Sequence, residues 1–152
     1  MVDVPNIENP FDRYARIVRN AIGVPVALVT VLESAHQVFL GGAKQLPEPY
    51  CTTGASPLTH SFCQHVVQGG RSLVVDDARE DPELRSNGAI RDMGVVAYLG
   101  WPLMDERGVV VGSLCAIDHE PREWTSAEIL MMRDLAACCS AELDVRMREA
   151  SL

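Results

Sequence analysis

Two apolar segments on either side of a short turn decide the fold of this chain: Val95-Val-Ala-Tyr-Leu-Gly-Trp-Pro-Leu103 and Val109-Val-Val-Gly-Ser-Leu-Cys-Ala-Ile117. The turn between them contains Asp105-Glu-Arg-Gly108. Segments of this length, rich in β-branched and aliphatic residues and joined by a glycine-containing turn, predict an antiparallel β-hairpin. Successive residues of a strand point to opposite faces, and neither face of the second segment carries a charge. Both faces of the hairpin are therefore predicted to be covered.

A second hairpin is predicted upstream of the first. Val24 to Leu32 is a continuous aliphatic run, which indicates a strand buried on both faces, and His36 to Leu40 follows as its returning partner. A helix is predicted before these strands. Asn9 is suited to cap its start, Pro10 to its first position, and Gly23 to its end.

The region between the two hairpins is predicted to be less regular. Residues 43–55 form an irregular loop, and Ser56-Pro57 is expected to begin a second helix that ends at Gly69-Gly70. Leu73 to Val75 is a short strand, and Asp76 to Gly94 is a polar connection with two short helices.

The last predicted helix has a strong start signal. Thr125-Ser-Ala-Glu128 is a capping box, and Trp124 is placed to contact Ile129 across it. From Ile129 to Cys139 the helix is apolar nearly all round, which predicts burial on more than one side. Two hairpins with helices at both ends predict an α+β fold and one domain over residues 1–152.

Composition narrows the class of protein. The 152 residues carry a net charge of −8 and no basic run, which argues against nucleic-acid and anionic-membrane partners. The first residues have no positive leader, and no apolar run is long enough to cross a bilayer. Five cysteines without framework spacing indicate reduced thiols. A cytoplasmic location is therefore predicted.

Five stretches of this sequence resemble the sensor GAF domains of bacterial signalling proteins, and together they extend from about Phe11 to Arg146. The stretches are Ser61 to Val67, Leu73 to Ala78, Gly94 to Leu103, Gly112 to Asp118 and Pro121 to Thr125. The resemblance implies a central antiparallel sheet of the profilin-like kind. It places the first and last helices on one face, where such domains often form homodimers. On the other face, the second helix and the irregular segment would roof a pocket.

The same resemblance implies a function. Such domains commonly precede histidine kinases, diguanylate cyclases or phosphatases, and we expect a non-catalytic sensory domain that binds an unidentified small-molecule ligand. No effector follows Leu152, so the chain is expected to be a stand-alone module or a piece of a longer protein. Two alternatives remain open. One is a thiol-dependent enzyme on this fold, such as a free methionine sulfoxide reductase. The other is a GAF fold used only for dimerisation or docking.

The cofactor is not identified by the resemblance. Phytochrome-like members attach a bilin through a cysteine beside a histidine in the irregular segment. The matching stretch here, Asn87 to Met93, has neither residue. The signature of the members that bind cyclic nucleotides is also missing from the sequence.

Eight residues are candidates for contact with a ligand. Small residues inside predicted strands, such as Gly112 and Ser113, leave room either for a ligand or for a closely packed helix. Arg91, Tyr98 and Trp101 offer a cation, a hydroxyl and a stacking surface, although Trp101 suits the core equally well. The candidates are Phe62, Cys63, Asp76, Arg91, Tyr98, Trp101, Ser113 and Cys115.

Two cysteines and a histidine in the same region are candidates for thiol or metal chemistry. Cys63 and Cys115 suit either a redox or ligand-linking pair, or ordinary buried positions, since no neighbour in the sequence would clearly lower a thiol pKa. His60 and Cys63 are three positions apart on the predicted second helix and would share a face. No further ligands complete a tetrahedron, so no metal site is predicted. Asp118-His119-Glu120 is interpreted as a turn, and no catalytic residue is assigned.

Overall fold

A computed structural model describes residues 8–150, which form five α-helices and a six-stranded sheet. The helices are α1 (Pro10–Val18), α2 (Tyr50–Thr53), α3 (Cys63–Gly69), α4 (Gly88–Met93) and α5 (Ser126–Ala150). The strands are β1 (Val26–Glu33), β2 (His36–Gly41), β3 (Ala55–Pro57), β4 (Leu73–Val75), β5 (Ala97–Met104) and β6 (Val110–Asp118). The sheet has the order β3-β2-β1-β6-β5-β4, and all neighbouring strands are antiparallel. The predicted α+β class is confirmed.

Both predicted hairpins are present at the centre of this sheet. β1 pairs with β2, and β5 pairs with β6 in a register that places Trp101 opposite Leu114. β1 and β6 also pair with each other, so the two hairpins join into one sheet. The aliphatic runs therefore occupy the central strands, where both faces are buried.

The two faces of the sheet bury different sets of residues. On one face, α1 and α5 cover a cluster that includes Leu99, Leu114 and Ala116. On the other face, residues from α3, α4 and the connecting loops cover a cluster that includes Cys115 and Ile117. Because β6 alternates between these clusters, a single strand forms the floor of both layers.

Helix α1 begins as its sequence predicts. The side chain of Asn9 accepts a hydrogen bond from the Phe11 backbone N–H at 2.8 Å, and Pro10 is the first helical residue. Phe11, Ala15 and Val18 are buried against the sheet. A π-helical turn, Arg19–Gly23, continues the helix to its predicted end.

Helix α5 also begins at its predicted capping box, but its burial differs from the expectation. The Thr125 backbone N–H donates to Glu128 Oε1 at 2.9 Å, and the Glu128 N–H donates to Thr125 Oγ1 at 3.1 Å. The buried residues lie on one stripe: Met132, Ala136, Cys139 and Leu143. The expectation of burial on more than one side was wrong, because α5 lies along the sheet with its outer side exposed.

Within residues 8–150, no helix has the length and apolarity needed to cross a membrane.

The start of the second predicted helix is also corrected. Ser56 is a buried residue of β3 and pairs with Gln37 of β2, and the helix α3 begins only at Cys63. Pro57 is tolerated there because β3 is an edge strand. Pairing with β2 therefore overrides the local cap signal. The expected irregular loop 43–55 contains a 3-10 turn and α2.

Arg122 connects the end of the helical segment that follows α1 to the end of β6 and to the start of α5. Arg122 donates to the Ile22 carbonyl at 2.9 Å and pairs with Glu128 at 2.5 Å and with Asp118 at 3.3 Å. Its guanidinium also lies 5.0 Å from the centre of the Trp124 ring. The chain leaving α1, the end of β6 and the first turn of α5 are thereby fixed to one another.

Candidate functional site

A small cavity lies between the sheet and the segments that cover it. We call the covering segments the roof, which consists of residues 58–62 and α4. The cavity has a volume of about 20 Å³, which is room for about one water molecule. Its walls are Leu28, Gln37, His60, Phe62, Ala89, Met93, Val95, Tyr98, Cys115 and Ile117. In this structure the roofed space is therefore almost filled by the protein's own side chains.

Tyr98 is the central aromatic residue of this site. Its ring centre lies 5.1 Å from that of Phe62, and its hydroxyl lies 3.1 Å from Ser113 Oγ. Gly100 leaves the space that the ring uses, since a Cβ at this position would lie 2.5 Å from a ring carbon. Burial raises the pKa of Tyr98 well above its ordinary value. The hydroxyl therefore stays neutral and can both donate and accept.

The two cysteines of the site are buried thiols. Burial raises the pKa of Cys63 to about 11, and the Thr30 side chain acts weakly in the opposite direction. Burial, together with the nearby Cys63, raises the pKa of Cys115 to about 12. A thiol needs to lose its proton to act as a nucleophile. Both thiols are therefore protonated at neutral pH, and they pack at buried positions between the sheet and the roof.

A buried glutamine fastens the first part of the roof to the sheet. Gln37 Nε2 donates to Ser56 Oγ at 3.1 Å and to the His60 carbonyl at 3.4 Å. Its Oε1 accepts from Ser61 Oγ at 3.0 Å. Gln37 was not among the predicted site residues. The available signal was a polar residue in the first returning strand, preceding the apolar pair Val38 and Phe39.

A histidine and a carboxylate close the second part of the roof. His60 Nε2 lies 2.7 Å from Asp92 Oδ2, which connects the 3-10 turn Leu58–His60 to α4. Arg91 also binds this carboxylate, with its Nε at 2.9 Å from Oδ1. The hydrogen bonds from Arg91 and His60 hold the pKa of Asp92 well below its usual range. We call the His60–Asp92 contact the latch.

Two residues at the start of α4, its N-cap Asn87 and its first residue Gly88, also contact the other roof segment. Asn87 Nδ2 donates to the Ser61 carbonyl at 2.9 Å. A Cβ at Gly88 would lie 2.5 Å from the His60 ring, so a glycine is required for the ring to lie against the helix start. The roof is therefore held shut from both of its segments.

The structure brings together five of the eight predicted site residues. Phe62, Tyr98 and Cys115 line the cavity, and Ser113 contacts Tyr98 from the buried strand β6. Cys63 is buried beside them at the start of α3. Strand alternation and the roof thus place these residues around one space.

The other three predicted residues lie elsewhere. Asp76 is exposed after β4, and the Arg91 side chain is 81% exposed on the outside of α4. Trp101 is packed against the cluster under α1 and α5, on the opposite face of the sheet from Tyr98. It is three residues from Tyr98 along one strand, and an odd spacing puts two side chains on opposite faces.

His60 and Cys63 do not share a helix face. His60 ends a 3-10 turn, Ser61 is extended, and Cys63 begins α3. Among the described residues no group of three His, Cys, Asp or Glu side chains is arranged to hold a metal ion.

Comparison with known proteins assigns the fold to a family. Residues 6–143 match the model of the GAF domain. A cyclic di-GMP phosphodiesterase of Pseudomonas aeruginosa is 32% identical over 99 residues, which cover 64% of this chain and only 16% of that protein. The chain therefore spans a small part of this relative's length.

Two solved structures show the same architecture. One is the GAF domain of a phosphoenolpyruvate-protein phosphotransferase from Coxiella burnetii. It has a TM-score of 0.75 and 16% identity, with 98% of this chain and 89% of that chain covered. The other is a domain of a protein described as a two-component sensor histidine kinase from Sinorhizobium meliloti. It has a TM-score of 0.71 and 18% identity, with 97% and 98% covered. The chain belongs to the GAF domain family.

Proposed function

We propose that this GAF domain is a non-catalytic sensory module that binds a small organic molecule in the roofed cavity and signals through α1 and α5. The family assignment supports a regulatory, sensory role. The observation that carries the ligand proposal is the construction of the roof. Two segments are held over a mainly apolar floor by a few hydrogen bonds, which are those of Gln37, the latch and the Asn87–Ser61 contact.

Binding in this cavity requires the roof to open. The space of about 20 Å³ is too small for an organic molecule, so Phe62 and Met93 must move before one can enter. A ligand shifts an equilibrium only through different affinities for two states. Here the closed state has no room for the ligand, which therefore binds the open state selectively. The expected contacts of the bound molecule are Phe62, Tyr98 and Cys115.

The route from the cavity to the helices is short. Cys115 and Ile117 of β6 face the cavity, whereas Leu114 and Ala116 of the same strand support the helix layer. A movement of β6 on the ligand side therefore changes the surface on which α5 rests. Arg122 connects the end of this strand to the first turn of α5 and to the chain leaving α1.

We further propose that the domain forms a homodimer through α1 and α5. Large apolar side chains are exposed on both helices: Ile17 on α1, and Leu130 and Val145 on α5. Such groups are favourable positions for burial against a second copy. The net charge of −8 argues against nucleic acid as a partner.

Native mass spectrometry of freshly purified protein, paired with its absorption spectrum, tests the ligand proposal. An added small-molecule mass is expected in the original protein. It is expected to disappear in Ala89→Leu, which fills the cavity from α4. Ala35→Leu, in the exposed turn between β1 and β2, is the matched control and should keep the added mass. An added mass that persists in Ala89→Leu would place the ligand elsewhere.

The nearly filled cavity favours a second candidate function, a GAF fold used only for dimerisation or docking. In that case the protein would carry no added mass and would still form dimers. The thiol-dependent enzyme has less support, because Cys63 and Cys115 are buried and their thiol pKa values are raised. Turnover of free methionine sulfoxide that is lost in Cys115→Ser would establish the enzyme and overturn the non-catalytic proposal.

A further inference from the structure

The roofed cavity is enclosed by walls without an acidic or basic chain of the Asp, Glu, Lys or Arg type. Among the described residues, the ten that form these walls include none of these four types. Six of the ten are aliphatic, aromatic or thioether side chains: Leu28, Phe62, Ala89, Met93, Val95 and Ile117. A molecule that enters the space between the sheet and the roof therefore meets a mainly apolar surface.

The polar groups of the walls already have hydrogen-bond partners. Gln37 uses both ends of its amide to hold β3 and the first roof segment. The ring nitrogens of His60 lie 2.7 Å from Asp92 Oδ2 and 2.9 Å from Thr59 Oγ1, so neither nitrogen is free to bind a charged ligand. The Tyr98 hydroxyl lies 3.1 Å from a second buried hydroxyl. Within residues 8–150, no buried side-chain nitrogen or oxygen is left without a partner.

The charged residues of the roof neutralise each other outside the cavity. Arg91 and Asp92 are the residues of the Asp, Glu, Lys or Arg type in the two roof segments, 58–62 and 88–93. Arg91 Nε lies 2.9 Å from Asp92 Oδ1, and the arginine side chain is 81% exposed. A carboxylate or phosphate inside the cavity would therefore lie without a cation, and an ammonium group without a free carboxylate. An unpaired charge in a buried site is strongly unfavourable.

Aromatic rings and a thioether make the walls favourable for flat molecules. The centres of the Phe62 and Tyr98 rings lie 5.1 Å apart, and the ring planes are inclined at 39°. Met93 of α4 lies against the same space. Aromatic side chains attract a further ring through offset or edge-to-face contacts, and a thioether sulfur makes favourable contact with the edge of a ring. An aromatic molecule therefore gains more here than an aliphatic molecule of the same size.

We propose that the ligand of this cavity is a small, uncharged aromatic molecule, and that anionic and cationic molecules of the same size are rejected. The inference rests on the ligand binding of the proposed function and names the chemical class of the ligand. A charged molecule would lose its hydration in the cavity and find no partner, whereas an uncharged ring loses little hydration. Phosphate esters and nucleotides belong to the rejected class, because they are charged at neutral pH.

Three indole derivatives of similar size test this selection by charge. At neutral pH, indole-3-carbaldehyde is uncharged, indole-3-carboxylate is an anion and 3-(aminomethyl)indole is a cation. Isothermal titration calorimetry should show that the aldehyde binds at least about tenfold more tightly than either charged compound. This binding should be lost in Ala89→Leu, which fills the cavity, and retained in the control Ala35→Leu.

Enlarging the cavity gives a second measurement that does not depend on opening of the roof. Met93→Ala shortens a side chain of the wall, and apolar cavities made in this way bind small aromatic molecules. The affinity for the aldehyde should rise, and the two charged compounds should remain the weaker ligands. Phe62→Leu enlarges the same space and replaces Met93→Ala if that variant does not fold. Equal or tighter binding of a charged compound, sensitive to Ala89→Leu, would overturn the inference.

Failure of this inference and failure of the proposed function give different results. Native mass spectrometry that finds a bound phosphate ester or another charged molecule, lost in Ala89→Leu, keeps the proposed function and overturns the uncharged class. A bound aromatic molecule without charge supports both. A protein that carries no added mass and binds none of the three compounds, with or without the enlarged cavity, overturns both.

Discussion

At the scale of single residues, Gly100 shows how closely the cavity side is packed. A methyl group at this position would lie 2.5 Å from the Tyr98 ring, which is itself fixed between Phe62 and Ser113. We predict that Gly100→Ala lowers the free energy of unfolding by about 1–3 kcal/mol, the usual cost of overpacking a core. Urea denaturation measures the change.

A matched control for this prediction is Gly69→Ala. Gly69 ends α3, and a Cβ there meets only the Arg71 side chain at 3.7 Å. This variant should match or slightly exceed the stability of the original, because alanine has the higher helix propensity. Equal stability of both alanine variants would show that the Tyr98 ring moves aside without cost.

At the same scale, part of the site could be predicted from the sequence and part could not. The residues now found around the cavity share a simple property: they are apolar or weakly polar groups at buried positions of predicted elements. Strand parity alone would have separated Trp101 from Tyr98, because their spacing is odd. Gln37 and the latch could not be predicted in this way. Their contacts join residues 19 to 32 positions apart, and only the folded chain brings them together.

At the scale of elements, the latch is expected to determine how often α4 opens. Asp92→Asn removes the charge that His60 contacts at 2.7 Å, while the Asn87–Ser61 bond remains. We predict a several-fold faster amide hydrogen exchange over residues 88–93, with little change in exchange of the central strands, because local opening costs less than global unfolding.

Arg91→Ala serves as the control for the latch. It removes the exposed partner of Asp92 but leaves the contact between α4 and the turn that contains His60. Exchange over residues 88–93 should then remain near that of the original protein. Equal acceleration in both variants would mean that the carboxylate acts through Arg91 and that His60 does not close the roof.

The first turn of α5 gives a second prediction for an element. Thr125→Ala removes the hydroxyl that accepts from the Glu128 N–H at 3.1 Å. The expected loss is about 1 kcal/mol of unfolding free energy. Ser126→Ala, one residue later and exposed, should leave the stability nearly unchanged. Thermal or urea unfolding compares the two variants directly.

The elements also differ in how well local sequence signals predicted them. The caps of α1 and α5 were confirmed because Asn9 and Thr125 act on their own next turns. Ser56-Pro57 presents the same signal and yet forms an edge strand, because Ser56 is buried beside Gln37. A cap pattern therefore predicts a helix only where no strand competes for the same residues.

At the scale of the whole molecule, the buried thiols couple stability to alkaline pH. Burial raises the pKa of Cys63 to about 11 and the pKa values of Cys115 and Cys139 to about 12, from the ordinary thiol value of 9.0. Above pH 9 the unfolded chain releases these protons while the folded chain keeps them. The contribution of these thiols to the free energy of unfolding is therefore fully present below pH 9 and is lost as the pH rises towards 12. The expected slope is about 1.4 kcal/mol per pH unit for each thiol.

Urea denaturation between pH 8 and pH 11 measures this slope. Cys115→Ala should be less stable at pH 8 because a buried side chain is shortened, but its stability should fall less steeply with pH. Cys138→Ala changes an exposed cysteine and should keep the original slope. A slope that is identical in all three proteins would show that Cys115 does not contribute to the alkaline loss.

The closed roof has a consequence for kinetics. Because the cavity holds about one water molecule, an incoming molecule cannot form its contacts until α4 and Phe62 have moved. The observed rate of association would then rise with concentration only until it equals the rate at which the roof opens, and would level off there. Chemically different molecules of similar size would share that limiting rate. A weakened latch would raise it for all of them, so that the protein, and not its ligand, would set the response time of the sensor.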